Sequence, residues 1–304
     1  MTARVLLVFV DGVGMGGEDE ERNPFMRAKV PTLLKLTGGY LPARDPGHDP
    51  EAPGRLLPLD ATLGVDGIPQ SGTGQTALLT GENGPRLFGR HFGPWVPVRL
   101  RPLVAEQSLL RRATDAGRSV AFANAYPRGW PGERGSRRVA GPPLAARGAG
   151  LLTRHEEALE EGGAVATGLT NEGWRRHRGH AHLPEVSLAE AGRNLAGIAG
   201  RHELTLFAHY ATDTAGHRGG MDGAVQALDR LDAFLGGLVA SLDPECTLIM
   251  ASDHGNIEDV TAQHTRNPAL GLVAGPGRDL LAERLHHLTD VTPALLEILG
   301  VAEN

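Results

Sequence analysis

Three short apolar runs in this chain each lead to an aspartate: residues 5–10 before Asp11, 205–210 before Asp213 and 247–251 before Asp253. Runs of this length, bounded by polar residues and rich in Val, Ile, Leu and Phe, read as strands buried on both faces of a sheet. Between them lie helical patterns, and strands alternating with helices predict an α/β fold around a mostly parallel sheet, with helices on both faces. In such sheets ligands collect beyond the carboxyl ends of the strands. Aspartates at those ends are costly to bury unless something positive pairs with them. Asp213 is followed by His217, Asp253 directly by His254, and His264 lies ten positions further on. A lone aspartate after a strand is more simply a cap or turn residue, but two Asp–His pairs, each after a strand, point to divalent cations. Carboxylate oxygen mixed with imidazole suits Zn²⁺ or Mn²⁺ better than Ca²⁺.

The remaining elements follow from local signals. A strand is expected over residues 4–10 and a short helix over 30–36, closed by Gly38 and Gly39; residues 42–58, rich in Pro, Gly and charge, read as a surface loop. Helix formers occupy 75–80 up to Gly81, and 104–116 has amphipathic spacing with Gly117 as its stop and a strand over 119–123 after it. Val225, Leu228, Leu231, Leu235 and Leu238 give 222–242 the spacing of a crossover helix between two site-bearing strands. A strand over 272–274 and a helix over 292–299, capped by Asp290 or Thr292, close the chain. Residues 128–183 break the alternation with a Pro/Gly/Arg stretch, a helical segment over 155–161 and three arginines and three histidines in 170–182. This segment is expected to be an insertion or lid on a core formed by 1–127 and 184–304.

Composition narrows the function. The 304 residues are enough for a sizeable core, and a formal net charge of -6 argues against a nucleic-acid partner, whose usual footprint is a basic face. The single cysteine, Cys246, lies within an apolar run and reads as a core thiol. No run approaches the roughly 20 apolar residues of a membrane span, and Asp11 and Gly12 interrupt the first apolar stretch, so a cytoplasmic protein with a small partner is expected.

One further segment carries chemistry. In Ser71-Gly72-Thr73-Gly74-Gln75 a hydroxyl sits at a glycine-rich turn before a helix, where backbone N–H groups and the helix dipole favour an anion such as phosphate. Serine needs a base or a metal to become a nucleophile. On local grounds Ser71 or Thr73 could equally be the cap or the nucleophile.

Asp11-Gly12, the Ser-Gly-Thr-Gly turn at Ser71, Asp213-Thr-Ala-Gly-His217, Asp253-His254-Gly255-Asn256 and His264, in that order, resemble the alkaline phosphatase superfamily of two-metal enzymes. The branch most resembled is that of cofactor-independent phosphoglycerate mutase and phosphopentomutase, over the N-terminal third and from about residue 204 onward. The resemblance implies an alkaline phosphatase-like sheet and two divalent ions, Mn or Zn. It implies one ion held by Asp11, Ser71, Asp253 and His254 and another held by Asp213, His217 and His264. It also bears on the nucleophile: related enzymes place it ten positions before the glycine of a Leu-Thr-Gly-like helix end, here Gly81, and the mutase branch three positions before a glycine, here Gly74. Both counts reach Ser71, with Thr73 as the alternative. The implied activity is metal-dependent hydrolysis of a phosphate ester, monoester or diester, on a small phosphorylated substrate through a phosphoserine. Two alternatives are phosphomutase-type transfer on a small phosphorylated metabolite and a non-catalytic metal scaffold.

The chain departs from that pattern in three ways. Too few residues lie between Gly81 and Leu204 for the mutase's large inserted domain; Ser71 is not followed by the Pro and Arg of sulfatases; and Gln75 stands where the mutases carry histidine. Arg128, Arg137, Arg138, Arg175 and Arg176 are candidates for a distal anionic group, each more simply read as a solvated surface side chain.

Overall fold

The computed structural model of the protein describes residues 3–47, 49–132 and 138–302. Its centre is a six-stranded sheet of β1 (Arg4–Val10), β2 (Gly54–Leu59), β3 (Val120–Phe122), β4 (Leu204–His209), β5 (Cys246–Ala251) and β6 (Ala269–Ala274), in the order β2-β6-β5-β1-β4-β3. β5, β1, β4 and β3 run parallel, and β6 is antiparallel to both its neighbours. The expected α/β architecture with a mostly parallel sheet is therefore observed. Strand periodicity sends Val5, Leu7 and Phe9 of β1 into one core cluster and Leu6, Val8 and Val10 into the other. On the first face pack the helices Ser71–Thr80, Leu109–Asp115, Gly141–Gly148 and Leu288–Ile298; on the second lie Pro31–Thr37, Leu188–Ala199 and the crossover helix Gly220–Val239.

The topology explains where a site can form. β1 is flanked by β4 on one side and β5 on the other. The three strands that lead to Asp11, Asp213 and Asp253 are thus adjacent and parallel, and their carboxyl ends share one edge of the sheet, where ligands collect in such folds.

Several expectations are corrected. Within the expected loop 42–58 lies the edge strand β2, antiparallel to β6. Its Pro58 is exposed and tolerated because an edge strand does not need every N–H. The inward-facing Arg55, which hides the strand pattern, gives its guanidinium to the carbonyls of Asp49, Pro50, Ala52 and Gly54. The helix expected over 104–116 is two helices, Arg101–Gln107 and Leu109–Asp115, because Ser108 is extended (φ -68°, ψ 158°) and its hydroxyl caps the second at Arg111 N. The last helix starts at Leu288 rather than near 292. His287 is its cap, Asp290 accepts from His287 N at 2.8 Å as the box partner, and Thr292 lies inside the helix, bonded to Leu78 O. The helix expected from Gln75 begins at Ser71, so the glycine-rich turn is its first turn.

The segment 128–183 contributes two pieces. Gly141–Gly148 packs Ala145 and Ala146 into the main core. Leu159, Ala164, Ala166, Trp174 and Leu183 form a small apolar cluster of their own with Ala125. Among the described residues no helix is long and apolar enough to cross a membrane.

Candidate metal centre

Asp11 is the first residue after β1 and is buried, 7% exposed. Gly12 follows with φ +67°, and a Cβ there would stand 2.6 Å from Asp213 Oδ1, so glycine is required both by the backbone and by the closeness of the Asp213 side chain. Asp253 and His254, after β5, are fully buried. Asp253 Oδ1 accepts from Gly12 N (3.3 Å) and Oδ2 from Gln75 Nε2 (3.0 Å). Gly74 lets this loop meet the helix Ser71–Thr80: a Cβ on it would be 2.5 Å from Asp253 O. His254 Nε2 lies 3.4 Å from Asp11 Oδ1, 3.8 Å from Asp253 Oδ1 and 3.9 Å from Asp213 Oδ1.

Asp213 and His217 project one turn apart from the helix Ala211–Arg218, at i and i+4, which places both on one face. His217 Nε2 is 3.4 Å from Asp213 Oδ1, and His264 Nε2 is 3.8 Å from the same oxygen. The six side chains expected to be ligands thus converge as two groups, Asp11/Asp253/His254 and Asp213/His217/His264, with donor atoms in each within 4.8 Å of one another. Ser71 is the first residue of its helix, 3% exposed, with Oγ 2.9 Å from His254 Nε2. The Thr73 hydroxyl turns elsewhere, donating to Gln70 O and accepting from Phe92 N.

The electrostatics describe a pocket short of positive charge. Asp11 is held well above the usual carboxylate range, first by burial and then by the charge of Asp253, and Asp253 is raised first by burial. Burial pushes His254 down, but the charges of Asp253, Asp11 and Asp213 outweigh it and lift the imidazole to about 10. His264 is held near 4 by burial and then by the charge of His254.

Three observations fit this donor set to divalent cations. Asp11 Oδ1 is buried without a hydrogen-bond partner among the described residues. His264 Nδ1 is 3.0 Å from Pro69 O, which can only accept, so the proton is on Nδ1 and Nε2 presents its lone pair. His217 Nδ1 similarly faces Gln263 Oε1 at 2.9 Å. The two Nε2 atoms then meet 3.1 Å apart, a lone-pair-to-lone-pair approach that a shared cation resolves.

Sequence reasoning missed the residues behind the ligands. Glu258, 1% exposed, accepts from Gly14 N (2.9 Å), Asn256 N (2.8 Å), Asn267 Nδ2 (3.0 Å) and the Thr265 hydroxyl. Asn256 in turn donates to Asp213 Oδ1 at 2.7 Å. Gln75, noted only as a departure, bridges Asp253 to Gly141 N. The signal for Asn256 and Glu258 was their closeness to His254 in sequence, which alone does not separate a bracing group from a loop residue. Of the arginines considered for a distal anion, Arg128 pairs with Glu156 and Glu157, Arg175 with Glu185 and Arg176 with Glu172; Arg138 is exposed, and Arg137 lies outside the described residues.

Comparison with known proteins agrees with the motifs. Residues 182–303 match the profile of the Metalloenzyme superfamily. The 2,3-bisphosphoglycerate-independent phosphoglycerate mutase of Picosynechococcus sp. is 33% identical over 118 residues, which is 34% of this chain and 22% of that protein. That of Synechococcus sp. is 32% identical over 139 residues, 40% of this chain and 26% of that protein. The chain thus matches about a quarter of the length of these relatives. In fold it is similar over its whole length to alkaline phosphatase from the Antarctic bacterium TAB5 (TM-score 0.52, 11% identity, 100% of both chains). Leishmania mexicana phosphoglycerate mutase is also similar (TM-score 0.51, 12% identity, 100% of this chain and 96% of that one). In the sequence of its last two fifths and in the fold of the whole, the chain is similar to the metalloenzyme superfamily and to alkaline phosphatase-like structures, as its motifs suggested.

Proposed function

We propose that the protein is a metal-dependent phosphoric ester hydrolase that cleaves a small phosphomonoester or diester through a phosphoserine on Ser71. The observation that carries this reading is the position of Ser71 Oγ, buried at a helix N-terminus and 2.9 Å from His254 Nε2, inside the group that also contains Asp11 and Asp253. In this reading Asp11, Asp253 and His254, with Ser71, hold one divalent ion and Asp213, His217 and His264 a second, Mn or Zn. Such ions, when bound, lower the pKa of a coordinated hydroxyl or water and neutralise phosphate oxygens.

The chain's own residues supply the rest. The first turn of the helix Ser71–Thr80 directs Oγ and the positive end of the helix dipole at one point, where a phosphate is favoured. The Oγ–P bond forms as the P–O bond to the leaving alcohol breaks, and the alcohol departs carrying the proton that the serine gave up. Water then cleaves the Oγ–P bond, restoring the hydroxyl and releasing inorganic phosphate from a monoester or the remaining phosphomonoester from a diester. Gln75 keeps Asp253 in place throughout.

Ser71→Ala should leave the metal content intact and remove covalent phosphate labelling, with turnover falling by roughly three orders of magnitude or more. Full retained activity rules Ser71 out. Asp213→Asn should empty mainly one ion site, and unaltered stoichiometry would argue against the ligand assignment. A second reading, phosphomutase-type transfer on a small phosphorylated metabolite, is favoured by the mutase relatives. In that case the phosphoserine returns its phosphoryl group to the substrate, and a rearranged ester appears in place of inorganic phosphate.

A further inference from the structure

A cavity of about 620 Å³ opens between the segment that follows β3, the stretch 166–178, and the core residues Tyr210 and Arg230. Its size is that of a small-molecule site. It also lies at the ligand-bearing edge of the sheet. Tyr210, which forms part of its wall, is the N-cap of the helix Ala211–Arg218 and precedes Asp213 by one turn, about 5 Å. Tyr126 and Tyr210 bring their phenols together there, and Tyr210 also feels the charges of Asp11 and Asp253.

The charge of the lining is unbalanced. Arg178 lies over the ring of the buried Trp174, 5.6 Å from its centroid, and Arg230 enters from the crossover helix. Neither has a carboxylate partner among the described residues, in contrast to Arg128, Arg175 and Arg176, which all do. One carboxylate, Glu172, shares the lining, and Arg176 neutralises it at 2.9 Å. Two guanidinium groups therefore face a cavity walled by aromatic rings. Guanidinium recognises carboxylate or phosphate oxygens with charge-assisted bonds, and the rings accept an apolar or flat body between them.

We propose that this cavity receives the leaving-group half of the substrate, and that it selects an alcohol or phenol carrying its own anionic group, held by Arg178 and Arg230. The proposal rests on the reading of Ser71 as the site of ester cleavage. Its arginines are not among the five candidates that the sequence offered for a distal anion, of which Arg128, Arg175 and Arg176 are paired with glutamates.

The test uses the full chain carrying Ser71→Ala in Mn²⁺ buffer, titrated calorimetrically with two probes that differ by one charge, 4-carboxyphenyl phosphate and phenyl phosphate. The carboxylated probe should bind about tenfold more tightly, the usual effect of one good charge-assisted contact. That preference should collapse in Arg178→Gln and in Arg230→Gln and partly return in Arg230→Lys, each variant being checked for its fold by circular dichroism. Equal affinity for the two probes, a preference that survives both glutamine substitutions, or no binding of either probe at millimolar concentration overturns the proposal. Turnover by the wild-type chain is measured separately. If it cleaves neither probe nor other phosphoesters, the hydrolytic reading fails, while the charge preference still stands or falls on binding alone.

Discussion

His254 and His264 stack with ring centroids 4.0 Å apart, yet one is drawn towards the imidazolium and the other kept neutral. The difference comes from what surrounds them: His254 is enclosed by three carboxylates, whereas His264 gives its Nδ1 proton to a backbone carbonyl and meets a neighbouring cation. His209 shows the bland use of the same side chain. It is buried at the end of β4 with Nδ1 2.8 Å from Thr167 O, and burial first of all lowers it to about 4. The unfolded chain takes up a proton near 6.5 that the folded chain refuses until about 4. Stability is thus unaffected above 6.5, falls as pH drops through that window, and levels off below it. The contribution is roughly 3 kcal/mol. His209→Gln keeps a donor without a titration. In urea unfolding with chelator present, the variant should lose less stability than the wild type between pH 7 and 4 by up to that amount, and equal losses would refute the assignment. The candidacy of these side chains was legible at this scale, most directly for Asp11, Asp213, Asp253 and His254, which sit a few positions from an apolar run. Their charge states were not, since these depend on neighbours more than two hundred positions away, as for His254 beside Asp11.

Elements became legible where one local signal dominated. The crossover helix expected over 222–242 is Gly220–Val239, and the central strands fall where the apolar runs placed them. β2 was missed because a buried arginine and an exposed proline disguise an edge strand whose stability comes from pairing with β6, more than two hundred positions away. The long helix was broken because Ser108 satisfies a new helix start better than it continues the old one. Among the loops, Glu258 has the same character as these non-local effects. It ties the loop after β1, the loop after β5 and the His264 loop together, and through Asn256 it reaches Asp213. Glu258→Gln, which offers an amide N–H where acceptors are needed, should weaken divalent-cation affinity by about 10- to 100-fold in a chelator-competition titration. It should also cost about 1–3 kcal/mol of stability. Unchanged affinity would make Glu258 a structural residue only.

For the whole molecule, the decisive arrangement is the adjacency of β4, β1 and β5, which turns three separate strand ends into one site. Gathering three carboxylates at one buried edge opposes folding unless positive charge joins them, so metal binding and stability should be linked. Saturating the sites with Mn²⁺ or Zn²⁺ at a hundred times the dissociation constant should stabilise the fold by about 2.7 kcal/mol for each ion, and EDTA should remove that gain. Calorimetric unfolding should show the gain reduced by about half in Asp213→Asn, and a melting temperature indifferent to EDTA would contradict the linkage.

The sequence by itself determined the α/β class, the three site-bearing strands and the kinds of atoms available to a cation, because apolar runs and their flanking residues act over a few positions. Only the tertiary structure decided which donors share a site, that the Ser71 hydroxyl rather than that of Thr73 faces His254, and which arginines are committed to glutamates and which face a cavity. Those outcomes depend on strand order and on contacts between residues scores to hundreds of positions apart, and no local propensity encodes them.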